Sequence, residues 1–136
     1  MKLFKFLVWI AFFTLGVANA QQFNFQTTFF SVLQKDKKGN WGKWSSPEKV
    51  NVIVKLDYDK NKIIIYSNVI QYYSIVEYLQ KEVTKVDEIN SYLCKDVDGY
   101  PFKISFIVRK DLKNRPQLYV YSEDYIFCYD IIEIVK

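Results

Sequence analysis

Phe102-Lys103-Ile104-Ser105-Phe106-Ile107-Val108-Arg109 places Phe102, Ile104, Phe106 and Val108 at every second position, with Lys103, Ser105, Ile107 and Arg109 between them. Period-two alternation puts successive side chains on opposite faces of a strand, so one face meets a core and the other meets water. The same reading extends outward. Val50, Val52, Val54, Leu56 and Tyr58 alternate with Asn51, Ile53, Lys55 and Asp57. Phe23, Phe25, Thr27, Phe29, Ser31 and Leu33 share one face of a first extended segment, opposite Gln22, Asn24 and Gln26. Residues 63–66, 71–79, 118–121 and 125–132 are further strand-like runs. Residues 38–40, 57–61, 98–101, 114–116 and 122–124 carry the Gly, Asn, Asp, Ser and Pro of tight turns. The chain is therefore expected to be all-β, an antiparallel meander of about seven or eight strands forming a small barrel or sandwich. Val52, Val54, Leu56, Ile104, Phe106 and Val108 are the expected core. Residues 80–88 are polar and carry Glu82, Lys85 and Glu88. There a loop and a short helix fit equally well.

Residues 1–20 have a different character. A basic start with Lys2 and Lys5, an apolar run over residues 6–17 and Ala18-Asn19-Ala20 read as a secretory signal peptide cut after Ala20. The expected mature chain is one β domain, residues 21–136, exported to the periplasm or secreted, with no membrane span. Of 19 basic residues, Lys2 and Lys5 leave with the signal, so 17 face 15 acidic ones and the net charge is +2. That balance argues against nucleic acid as a partner, which needs a basic stripe. The densest basic cluster, Lys35, Lys37 and Lys38, adjoins Gly39-Asn40 and reads as a solvated turn.

Several short motifs punctuate the domain: Trp41-x-x-Trp44, the alternating run ending at Asp57, Ile63 to Ser67, Gln71-x-Tyr73, Cys94-x-Asp96-x-Asp98-Gly99 and Leu118-Tyr119-Val120-Tyr121. On these residues, and on Ala20-Gln21 at the signal's end, the chain resembles a family of short, exported or phage-associated all-β proteins common in Bacteroidetes, whose function is uncharacterised. The resemblance implies a β fold and supplies no catalytic or binding residue.

The chain has no His, which removes Ser-His-Asp and Cys-His nucleophile systems and most zinc sites. Glycine-rich phosphate loops and dinucleotide fingerprints are also missing. No cofactor or metal is therefore expected. Asp57-x-Asp59-x-Asn61 imitates the start of a calcium loop but has Lys62 and Asn68 where Gly and Glu are required. It reads as a turn, and so does Asp96-x-Asp98-Gly99. Cys94 and Cys128 are an even pair in an exported chain and form a candidate disulfide, with two separate thiols as the alternative. Trp41, Trp44, Tyr119 and Tyr121 are the candidate binding residues, an exposed aromatic platform. Paired Trp in small β domains more often plug a core or a barrel end, which is the competing expectation for Trp41 and Trp44. The leading expectation is a non-catalytic exported module that binds a protein, glycan or small apolar ligand through aromatic side chains. A barrel carrying a small ligand is the alternative. A hydrolase using Asp and Glu alone comes last.

Overall fold

A computed structural model describes residues 22–134, and the signal-peptide reading of residues 1–20 lies outside them. In chain order the strands are β1 (Gln22–Gln34), β2 (Glu48–Lys49), β3 (Ile53–Asp57), β4 (Lys62–Ile65), β5 (Gln71–Tyr78), β6 (Glu82–Val83), β7 (Asp87–Lys95), β8 (Pro101–Arg109), β9 (Arg115–Tyr121) and β10 (Tyr125–Ile134), with a 3-10 turn at Lys110–Leu112. All pairings are antiparallel. The sheet runs β10-β9-β8-β7-β5-β4-β3-β1, and β1 pairs in turn with β10, so these strands close into a ring. β2 rides on β1, and β6 on β7. This ring is the expected antiparallel meander. Among the described residues no helix is long and apolar enough to cross a membrane.

Alternation fills the interior. Val54, Leu56, Ile63, Ile65, Ile75, Tyr92, Cys94, Ile104, Leu118, Val120 and Ile131 are buried, and Val52 and Phe106 pack against them half-buried. Of the expected core, Val108 lies outside this cluster near the end of β8 and is also half-buried. Turn residues behave as their chemistry dictates. Gly39, Gly99 and Asn61 take positive φ, and Asp36, Asp57 and Asp96 each accept backbone N–H groups within their own turns.

Three local readings are corrected. Residues 80–88 hold no helix: Glu82 and Val83 pair with Ile89 and Glu88 as a narrow ladder. β7, which bridges β5 and β8, begins inside that polar stretch, where Asp87, Glu88, Asn90 and Ser91 mask its strand character. Pro116 lies within β9, not in a turn. It pairs with Val108 of β8, but β10 reaches only as far as Gln117, so no partner strand needs the missing N–H.

The third correction concerns β1. Its register against β10 slips between Thr27 and Phe29, and a bulge of one residue reverses which side chains face inward. Phe23, Phe25 and Thr27 point into the ring with Ile131. Beyond the bulge Phe30, not Phe29, lies opposite the buried Tyr129. At the same place β1 parts from β3, whose pairing with it ends at Gln26. Thr27, 1% exposed, bridges the parting. Its backbone N–H donates to the Val52 carbonyl (2.8 Å), its hydroxyl donates to the same oxygen (3.0 Å), and the hydroxyl accepts from the Val52 N–H (2.9 Å).

Thr27→Val keeps the shape but strands the Val52 N–H in a part-buried position. We expect a loss of about 1 to 3 kcal/mol, the usual penalty for an unsatisfied buried donor. Urea unfolding of the two proteins measures it, and an unchanged midpoint would show that the hydroxyl is dispensable.

Candidate functional site

β9 carries the candidate tyrosines on its outward positions. Leu118 and Val120 are fully buried, so Tyr119 and Tyr121, which alternate with them, take the outward positions, where both are half-buried. Their rings stack at 5.9 Å with planes 13° apart. The segment after β1 brings a third aromatic ring to them. Residues 41–45 fold back along β1: the Gly42 N–H donates to the Gln34 carbonyl, the Ser45 N–H donates to the Val32 carbonyl, and the Val32 N–H donates to Ser45 Oγ, each at 2.9 Å. Gly42 suits this close return, since a Cβ would lie a tight 3.1 Å from the Gln34 oxygen. This return sets Trp44 edge-on to Tyr119, with centroids 6.3 Å apart. Trp41 stands apart, bridged to Lys35, whose Nζ lies 5.0 Å from its ring. Both Trp residues are 45% exposed, so neither plugs the core.

The strip has a polar underside. The Tyr119 hydroxyl donates to Gln117 Oε1 (3.0 Å), Gln117 Nε2 donates to Asp130 Oδ1 (2.9 Å), and Arg115 pairs with the other Asp130 oxygen. Lys103 Nζ lies 5.9 Å from the Tyr121 ring, so one edge of the strip is cationic. Three of the four candidate residues, Trp44, Tyr119 and Tyr121, thus come together on one face.

The candidate disulfide is corrected: Cys94 and Cys128 are free thiols. Cys94 on β7 points into the ring, 3% exposed, whereas Cys128 on β10 lies opposite Tyr119 and Ser31 on the outer face. β8 and β9 separate their strands, so about three strand spacings of 4.8 Å intervene, far beyond the roughly 7 Å that a disulfide spans. Burial pushes the Cys94 thiol up to about 12 and also raises that of Cys128. Among the described residues, no group of three or more His, Cys, Asp or Glu could hold a metal ion.

Sequence reasoning missed the two ends of the ring, which are rich in inward-facing aromatics. At the end holding the β3–β4 turn, Tyr58 stacks on Tyr78 (5.5 Å) and shares a 2.5 Å hydrogen bond with the Tyr92 hydroxyl. A cleft of about 230 Å³ opens there between Phe23, Phe25, Tyr58, Tyr92 and Phe106. At the other end Phe30, Tyr73, Phe102, Tyr125, Phe127 and Tyr129 surround Gln71. The available signal was an inward-parity glutamine two residues before Tyr73. The unrecognised bulge hid Phe30.

Two outcomes follow. Denatured, unreduced protein should titrate two thiols, and folded protein should leave Cys94 unreacted; a single disulfide on mass analysis would overturn this. Burial raises the phenols of Tyr73, Tyr92 and Tyr119 well above their ordinary 10.0, with the Tyr58 hydroxyl adding to the effect on Tyr92. The folded state therefore holds these phenols neutral, and the stability they lend is complete below pH 10 and lost above it as the unfolded chain ionises. Phenolate absorbance should rise together with loss of β signal between about pH 10 and pH 12. Independent titration of all the tyrosines near 10 in a folded protein would contradict the assignment.

No family model, curated protein or solved structure matches the chain.

Proposed function

We propose that the protein is an exported, non-catalytic binding module whose contact surface is the outward strip Trp44–Tyr119–Tyr121. The observation that carries this reading is the convergence of three aromatic side chains from two separate segments on one outward face of the sheet. Rigid rings supply contact area at little entropic cost, and such residues dominate binding energy at interfaces. The strip runs along a strand and is not a pocket, so it suits an extended partner, a protein surface or a glycan chain, better than a small apolar molecule. Turn duty occupies the Asp36, Asp57 and Asp96 carboxylates, and Asp130 is tied to Arg115 and Gln117, which gives carboxylate hydrolysis no support.

The test is capture from cell-envelope extract and a glycan array with the domain and its Trp44→Ala and Tyr121→Ala variants. Retention should fall at least about 30-fold, the effect of losing a hot-spot residue. The melting temperature should shift by no more than about 3 °C, as for surface changes in a domain of this size. A melting temperature that collapses with binding would assign these rings to the fold. Turnover of a glycan or peptide, lost on changing one Asp or Glu, would replace binding with catalysis.

A further inference from the structure

At the end of the ring away from the β3–β4 turn, the parting of β1 from β3 leaves an opening. A cleft of about 580 Å³ lies there, within the size range of small-molecule sites, between Phe30, Phe127 and Tyr129 on one side and Val50, Val52 and residues 67–69 on the other. A second cleft of about 220 Å³ shares Gln71 and Phe127 with it, so the two form one mouth.

The wall is a continuous run of ring contacts. Tyr129 meets Phe30 at 5.0 Å, Phe30 meets Phe127 at 5.3 Å, Phe127 meets Tyr125 at 4.6 Å, Tyr125 meets Phe102 at 6.4 Å and Phe102 meets Tyr73 at 5.0 Å. Phe30, Val52, Phe102 and Phe127 also pack on the buried core. The cavity is thus held in shape by residues that already touch one another, and the interior beneath it is filled by Ile63, Ile65 and Ile104.

Gln71 fixes the polar chemistry. Its Oε1 accepts from the Tyr73 hydroxyl (2.8 Å), and its Nε2 donates to Ser67 Oγ and to the Tyr129 hydroxyl oxygen (each 3.1 Å). The Tyr129 oxygen accepts from Gln71, and its own O–H, on a ring that lines the cleft, has no acceptor among the described residues. Among the described residues, neither cleft has a Lys or Arg in its walls. The one carboxylate, Asp96, uses Oδ1 to accept from the Asp98 and Tyr100 N–H groups.

We propose that this mouth binds an uncharged, ring-bearing apolar molecule that accepts one hydrogen bond from Tyr129. Aromatic walls suit a planar ring, a site without cations gives an anionic headgroup nothing to pair with, and one preset donor orients a carbonyl or ether oxygen. The site is independent of the Trp44–Tyr119–Tyr121 strip, which lies on the outer face of the sheet.

Prodan, an uncharged fluorescent naphthalene ketone, is the probe. One molecule should bind per chain, saturably and with blue-shifted emission. Tyr129→Phe, which keeps the ring and removes the donor, should weaken binding about tenfold, the effect of one hydrogen bond. Val50→Trp, which fills the larger cleft, should abolish binding, and Trp44→Ala should leave it unchanged. In the unmodified protein, prodan should shift the NMR signals of the Gln71 side-chain amide and the Val52 methyls, a readout that holds even where a variant fails to fold. Absence of saturable binding, shifts confined to Tyr119 and Tyr121, or tighter binding of an anionic or quaternary-ammonium naphthalene would each overturn the proposal.

Discussion

The three hydrogen bonds between Thr27 and Val52 hold together two incompatible demands on β1. Its first half must pair with β3 to close the ring, and its second half must leave β3 to lie between β10 and β2. A strand that diverges from its neighbour exposes an N–H and a carbonyl that the ladder no longer serves, and burying them unpaired is costly. The Thr27 hydroxyl supplies both a donor and an acceptor at that point, in a side chain small enough to be almost fully enclosed. Ser or Asn has comparable chemistry, but the β-branched threonine also suits an extended backbone.

From that junction the rest of the architecture follows. The bulge turns Phe30 inward, where it meets Phe127 and Tyr129, and turns Phe29 and Ser31 outward. The freed edge of β1 accepts β2 and the residues before it, and that return places Trp44 over Tyr119. One extra residue thus generates both an aromatic mouth and an aromatic outer strip. Of the eleven Tyr, those within strands divide between the two sides by the alternation of their own strands. Tyr73, Tyr92 and Tyr129 lie inside with their hydroxyls bonded to other side chains, while Tyr119 and Tyr121 lie outside beside Cys128 and Lys103.

The fold class was legible because alternation in β3, β8 and β9 marks the inward face: Val54, Leu56, Ile104, Leu118 and Val120 are all buried. The outward placement of Tyr119 and Tyr121 came from the same parity. What was illegible depended on contacts remote in sequence. A bulge leaves no mark in composition, so the parity of residues 29–33 was inverted. β7 hides among charged residues because its first half pairs near the rim, where polar side chains face solvent. The pairing of Cys94 with Cys128 rested on compartment and number, yet strand order and facing decide it, and neither can be read from spacing. The mouth was missed because its members come from β1, β5, β8 and β10, and no local motif unites them.

The longest ladder in the ring joins its first and last strands, from Asn24 opposite Ile134 to Gln34 opposite Tyr125. Contacts so distant along the chain form late, because the entropy of closing a long loop must be met before they contribute. Until β10 docks, β1 and β9 each present an unpaired edge and the aromatic interior stands open to water. Such half-closed species are prone to edge-to-edge association. The native ring, once shut, removes those edges. The hazard for this chain therefore lies in its kinetics, in the interval between making strand β9 and seating β10.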